Sequence, residues 1–258
     1  MKTEAQPGTV YLVGAGPGDP GLLTLRALKL LQTADVILPD DLVSDEILDL
    51  ASPSAFIIPV GKRCGQPRIT QAGIHALMLE HAGPRDGYPG ASVLRLKSGD
   101  PLIFGRAAEE IAALRQANIP FEIVPGITAA SAVAATLQTP LTDRSSASKL
   151  IFATAHHAAG KLSLPPSWAS ASPNDFKADS TANATLVLYM PGRDFATLTA
   201  DLIRSGIPPS TPCAAVSKAT APDQRVTTTT LEQLGTLAAD AVGPAPVLLL
   251  IGHALQIP

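Results

Sequence analysis

Two adjacent carboxylates, Asp40 and Asp41, follow one apolar run, and Lys62 and Arg63 follow Gly61. A carboxylate and an ammonium near strand ends can take up and return a proton. Taken alone, Asp40 and Asp41 also fit a polar turn, and Lys62 also fits a solvated loop lysine. A third chemical segment is Gly14-Ala15-Gly16-Pro17-Gly18-Asp19, placed between an apolar run and a helical pattern. It invites a dinucleotide reading, but Asp19 stands where that fingerprint needs its last glycine. A carboxylate at the helix cap occupies the amides a pyrophosphate would use, and repels it. The glycines are better suited to letting a ligand or a second loop approach the backbone. Ser98-Gly99-Asp100 closes another apolar run and is a further place for such an approach.

Basic residues gather beside these loops: Lys62, Arg63 and Arg68 in one, Lys97 and Arg106 in a second, Arg144 in a third. Any one of them also fits a solvated surface. Together they form local positive clusters in a chain of net charge −3, where a polyanion would collect. Arginine suits bidentate recognition of carboxylates. No metal centre is expected: His156-His157 is the one adjacent histidine pair, and Cys64 and Cys213 lie far apart in sequence.

These residues need elements to hold them. Strand patterns cover residues 9–13, 36–38, 55–60, 93–97 and 121–124. Helical patterns cover 22–31, with Asp19 as cap and Pro20 at the first helical position, then 70–81 and 107–116. The alternation predicts a mostly parallel sheet with helices on both faces. Further on, helices are expected at 128–137, 195–205 and 231–241, and strands at 150–154, 185–190, 213–217, 225–230 and 247–251. Residues 158–182, rich in Ser, Pro and Ala, read as a loop or insertion. Pro125 and Gly126 interrupt the pattern and mark a domain break, giving domains 1–125 and 126–258.

Composition bounds the rest. With 258 residues, 46% hydrophobic and 16% charged, the chain can bury a core and is not disordered overall. Mild acidity argues against a general nucleic-acid or acidic-membrane binder. Two cysteines make no disulfide framework, which suits the cytoplasm. No long apolar stretch follows the first residues, so no signal peptide is expected. The longest apolar runs, such as 247–251, are too short to span a bilayer.

Seven segments in order carry a resemblance: Val13 to Pro20, Asp40 to Ser44, Gly61 to Arg63, Arg95 to Arg106, Val124 to Ala129, Pro140 to Thr142 and Leu188 to Met190. The chain resembles the tetrapyrrole methylase family over almost its whole length. The run Gly99-Asp100-Pro101-Leu102-Ile103-Phe104-Gly105-Arg106 resembles the branch that methylates uroporphyrinogen III. The resemblance implies two α/β domains with S-adenosylmethionine in the cleft between them, and a homodimer. It implies transfer of two methyl groups to uroporphyrinogen III, giving precorrin-2 for siroheme or cobalamin synthesis, with S-adenosylhomocysteine as the other product. A second member of the superfamily, a precorrin methylase, is the alternative. By this resemblance Asp40 is the proton acceptor and Lys62 the proton donor. The donor contacts are Pro17, Ser98, Gly99, Asp100, Ile103, Thr128, Ala129, Met190, Ala219 and Ala245. Arg63, Arg68, Lys97, Arg106 and Arg144 are expected to meet the substrate's carboxylates. The dehydrogenase/ferrochelatase domain fused to the methylase in some relatives is not expected. The chain departs from the family's usual residues at Pro39, Pro67-Arg68, Ser98, Ala107, Ala108 and Asp143.

Overall fold

The computed structural model describes residues 4–61, 69–85, 87–155 and 184–255. The chain divides into two compact units, Met1–Ala129 and Ala130–Pro258.

The first unit is built on five strands: β1 (Val10–Gly14), β2 (Val36–Pro39), β3 (Phe56–Ile57), β4 (Val93–Lys97) and β5 (Phe121–Val124). Their order is β3-β2-β4-β1-β5, and every neighbouring pair is parallel. Side chains alternate between two faces. Tyr11, Val13, Leu94 and Leu96 pack with Ala27, Leu30 and Leu31 of α1 (Leu25–Leu31) and with Ile47 of α2 (Asp45–Leu48). Val10, Leu12 and Val93 pack with Ile74 and Met78 of α3 (Gln71–Ala82) and with Leu114 of α4 (Ala107–Gln116). The central strands are therefore covered on both faces, which suits the near-continuous apolar sequence of β1.

The helix expected over 22–31 is two pieces. Asp19 caps a single 3-10 turn, Pro20–Leu22, by accepting from the Gly21 amide at 2.7 Å. Leu23 and Thr24 are extended, and Thr24 Oγ1 then caps α1 by accepting from the Ala27 amide at 3.1 Å. The strand expected over 55–60 shrinks to two residues at the sheet edge.

In the second unit β6 (Lys149–Thr154), β7 (Ala184–Tyr189), β8 (Pro212–Ser217), β9 (Arg225–Thr230) and β10 (Val247–Ile251) take the order β6-β7-β10-β8-β9. Only β6 and β7 run parallel; the other three pairings are antiparallel. The expectation of a mostly parallel sheet, drawn from the alternation of the first half, holds in the first unit. The connection from β8 to β9 is too short for a crossover, so those strands form a hairpin. β10 inserts between β7 and β8 and runs against both. Besides α5 (Ala129–Thr136), this part of the chain has α6 (Phe195–Arg204), whose Phe195, Leu198 and Leu202 join Leu186, Leu188, Leu249 and Ile251 in one core. The helix expected over 231–241 breaks into α7 (Leu231–Leu234) and α8 (Ala239–Val242). The break falls at Gly235, where a Cβ would lie 2.3 Å from the Thr199 hydroxyl oxygen. The loop expected at 158–182 lies outside the described residues.

Candidate active site

The loops that follow β1, β4 and β5 meet at the carboxyl ends of those strands, where open parallel sheets bind ligands. Gly16 and Gly99 pair through their backbones, with Gly16 N to Gly99 O at 3.2 Å and Gly99 N to Gly16 O at 2.7 Å. A Cβ on Gly14 would lie 2.6 Å from both Gly126 Cα and Gly99 O, so the three loops can meet this closely only as glycine backbone. Asp100 braces them: Oδ1 accepts from the Leu102 amide at 2.8 Å and Oδ2 from the Gly126 amide at 3.0 Å. Ile103 turns back so that its amide reaches Asp100 O at 3.2 Å. Gly99 itself has room. With φ at +68°, its missing Cβ would meet nothing nearer than Ala129 N at 3.9 Å. The fold thus gathers Pro17, Ser98, Gly99, Asp100, Ile103, Thr128 and Ala129 onto three touching loops.

In the second unit Met190, Ala219 and Ala245 lie at one edge of the sheet. Met190 follows β7, Ala219 follows β8, and Ala245 precedes antiparallel β10, whose Val247 and Leu248 stand opposite Ser217 and Tyr189. The Lys218 amide donates to Pro246 O at 2.8 Å, and the Ser217 hydroxyl to Pro244 O. Seven non-glycine residues among those described have positive φ. Asn118 and Gln138 follow helices. The other five are Met190, itself an expected donor contact, and Phe104, Arg106, Lys218 and Thr220, which lie within three residues of one. Conformations of this kind cost about 1–3 kcal/mol each and concentrate at functional loops.

A cavity of about 530 Å³ opens within the first unit, lined in part by Asp40, Asp41, Gly61, Gln71, Ser98 and Arg106. Asp40 stands just past β2, with its side chain one-third exposed. Its Oδ1 accepts from Nη2 of Arg95. Arg95 points from β4 toward α4 and is fully buried, with Nε 3.0 Å from Glu110 Oε1 and Nη1 3.0 Å from Leu38 O. Arg106 caps the start of α4 at φ 57°, its guanidinium held 2.7 Å from Glu109 and open to solvent. That hydrogen bond holds the Arg106 proton more firmly than usual.

Lys97 is not where the sequence led us to expect it. Alternation along β4 turns it, with Arg95, under α4, where Nζ lies 3.1 and 3.0 Å from the two oxygens of buried Glu110. Burial, and next the positive charge of Arg95, push its pKa down. An ammonium spent on an internal carboxylate is not a surface contact for a polyanion, so Lys97 leaves the substrate-facing set. Arg144 is exposed in the turn formed by Asp143 and Ala147, in the second unit. Lys62, Arg63 and Arg68 lie outside the described residues.

Sequence reasoning missed Arg95 and Glu110. The signal was present: β4 reads Val-Leu-Arg-Leu-Lys, and a strand buried on both faces cannot leave two cations unmatched. An acid in the facing helix follows from that, and α4 offers Glu109 and Glu110.

Comparison with known proteins agrees with this architecture. A model of the tetrapyrrole (corrin/porphyrin) methylases matches residues 9–235. A uroporphyrinogen-III C-methyltransferase of Paracoccus denitrificans is 43% identical over 98% of this chain and 83% of its own length. Siroheme synthase 1 of Klebsiella pneumoniae is 42% identical over 99% of this chain. The chain spans about half the length of the siroheme synthases it matches, 51% in that case. Among solved structures, a uroporphyrin-III C-methyltransferase of Thermus thermophilus complexed with S-adenosylhomocysteine superimposes with a TM-score of 0.74 at 34% identity. The match covers 96% of this chain and 93% of that one. A cobalt precorrin-4 methyltransferase gives 0.78 at 27% identity, covering 97% of each chain.

Proposed function

The chain belongs to the tetrapyrrole methylase family, and on that footing we propose that it methylates two ring carbons of uroporphyrinogen III with S-adenosylmethionine. The product is precorrin-2, a precursor of siroheme and cobalamin. One observation carries the reading furthest: Ser98, on the loop that pairs with the glycine turn, also lines the cavity that holds Asp40. That shared lining supports a reading in which donor and proton acceptor meet there.

The residues fit the donor. Gly99 leaves open space beside the Ala129 amide, where a Cβ would otherwise intrude. Asp100 spends one lone pair of each oxygen on the loops and keeps others for a donor hydroxyl or ammonium. Pro17, Ser98, Gly99, Asp100, Ile103, Thr128 and Ala129, gathered on the touching loops of the first unit, would hold it. When bound, S-adenosylmethionine supplies a methyl group on a sulfonium, whose bond to carbon breaks as the new carbon–carbon bond forms.

The protein's part is alignment and proton handling. Fixing two reactants in line contributes up to about 7–11 kcal/mol in the best intramolecular cases. Asp40 takes the proton that the macrocycle gives up, at a position other than the fully substituted carbon that gains the methyl group, and Lys62 returns one. Arg106, with Arg63, Arg68 and Arg144, meets the substrate's carboxylates; among the described residues, Arg106 stands on the cavity wall. By the same family footing the enzyme works in the cytoplasm as a homodimer.

The alternative is a later precorrin methylase, which the likeness to the cobalt precorrin-4 enzyme supports. The higher identity to the uroporphyrinogen-III enzymes favours the first reading. Methyl-labelled S-adenosylmethionine offered with each acceptor separates them. Label in uroporphyrinogen III is expected; label only in a precorrin transfers the assignment to the alternative.

A further inference from the structure

Arg95 and Lys97 project from one face of β4 into the layer that contains Leu12, Leu38, Met78 and Leu114. Side chains of Arg95 and Lys97 are 2% and 3% exposed, and Glu110 is fully buried between them. The formal count inside that layer is two cations against one anion. Burying a charge without a partner is costly, so the arrangement needs a second carboxylate within reach. Asp40 is that carboxylate. Every nitrogen of the Arg95 guanidinium has a partner: Nε bonds Glu110, Nη1 bonds the main-chain oxygen of Leu38, and Nη2 bonds Asp40 Oδ1. The planar fork cannot turn without losing several of these bonds together. The two sides of Asp40 differ as a result. Oδ1 belongs to the buried lattice, while Oδ2 takes no hydrogen bond among the described residues.

We propose that Arg95 is a positioning residue for Asp40: the guanidinium, held by Glu110 and Leu38 O, fixes Oδ1 and thereby presents Oδ2 as the oxygen that takes the proton. This rests on the reading of Asp40 as proton acceptor. Lys97 has the supporting part. It shares Glu110 with Arg95 and holds that acid in place from the other side. The carboxylate is thus aimed by a chain of contacts anchored in β2, β4 and α4, rather than by its own exposed loop.

The test compares Asp40→Asn, Arg95→Met, Arg95→Lys and the double variant Asp40→Asn/Arg95→Met in the full chain. Turnover is measured with S-adenosylmethionine and uroporphyrinogen III, and folding is controlled by S-adenosylhomocysteine binding. Arg95→Met is expected to lower kcat by about 100-fold, the scale of a misplaced catalytic group. The KM for the donor should stay within about threefold, because Arg95 touches none of the donor loops. Arg95→Lys keeps the charge but loses the fork, and should recover part of the loss. In the Asp40→Asn background the Arg95 substitution should cost almost nothing more, since the group it aims is gone. Equal losses in both backgrounds would overturn the proposal while leaving Asp40 its role. Full activity in Asp40→Asn would instead remove the acceptor reading, and the proposal with it. If Arg95→Met fails to fold, Arg95→Lys decides: wild-type kcat in that variant contradicts the proposal.

Discussion

Cys213 sits on β8 with no exposed surface, in the core that also holds Leu186 and Leu249. Burial pushes its thiol up to about 12, so almost no thiolate exists near neutral pH. In a Cys64→Ser variant, a thiol reagent at about pH 8 should find nothing in the native protein and one thiol after unfolding. Fast native reaction would show that this core opens. Asp143 has the opposite character. Its Oδ1 accepts from the Ser145 hydroxyl at 2.5 Å, and from the Ser146 hydroxyl and both amides at 2.9 Å. Those bonds, the Ser145 hydroxyl first, hold its pKa at about 2. The folded value lies below the unfolded 3.8. The stabilisation is therefore complete above pH 3.8 and fades as pH falls toward 2. The difference in Tm between the wild type and Asp143→Ala should shrink across that interval; a difference that grew with acid would refute the assignment.

At the scale of elements, strand ends and a helix face decide where chemistry is placed. Gly14→Ala and Gly99→Ala separate two uses of glycine. At Gly14 a methyl group would lie 2.6 Å from the backbone of Gly126, and overpacking of this kind costs about 1–3 kcal/mol. At Gly99 the same methyl meets open space, with only the left-handed backbone to strain. Chemical denaturation should find Gly14→Ala clearly destabilised. Gly99→Ala should stay closer to the wild type in stability and bind S-adenosylhomocysteine more weakly. The reverse pattern would mean the open side of Gly99 faces no ligand. Beneath α4, Glu110→Gln leaves Arg95 and Lys97 without their shared anion, and should cost about 3–5 kcal/mol in denaturant unfolding. A loss under about 1 kcal/mol would mean water or other groups neutralise the two cations.

Legibility follows the same division. The strands over 93–97, 121–124, 225–230 and 247–251 and the helix over 107–116 were readable to the residue, because periodicity and flanking turns agree there. The start of α1 was misread because Asp19-Pro20 is a genuine cap signal that serves a single 3-10 turn, while Thr24 caps the helix. α2 was missed: it has only four residues, and Ser44 forms no side-chain cap bond. That the Gly14 to Gly18 turn lets a second loop approach its backbone was accessible from its glycines. The Asp40–Arg95 contact was not, since it joins residues far apart in sequence through the register of β2 with β4, whereas the need for an acid near Arg95 and Lys97 was.

For the whole molecule, two units with different sheet logic share one chain. Parallel pairing in the first puts every strand's carboxyl end on one side, so three loops converge without long insertions. Antiparallel pairing in the second brings the end of β7, the end of β8 and the start of β10 to a common edge. Strand order in that sheet depends on pairings distant in sequence, which local patterns do not encode. Light scattering on the purified protein should give twice the chain mass if the homodimer reading holds, and the single chain mass if it does not. The central claim is tested most directly by the mass of the tetrapyrrole recovered from an anaerobic reaction with S-adenosylmethionine and uroporphyrinogen III generated in place. The account predicts a product carrying two added methyl groups. Recovery of unmodified uroporphyrinogen III, with S-adenosylhomocysteine still bound by the protein, would contradict it.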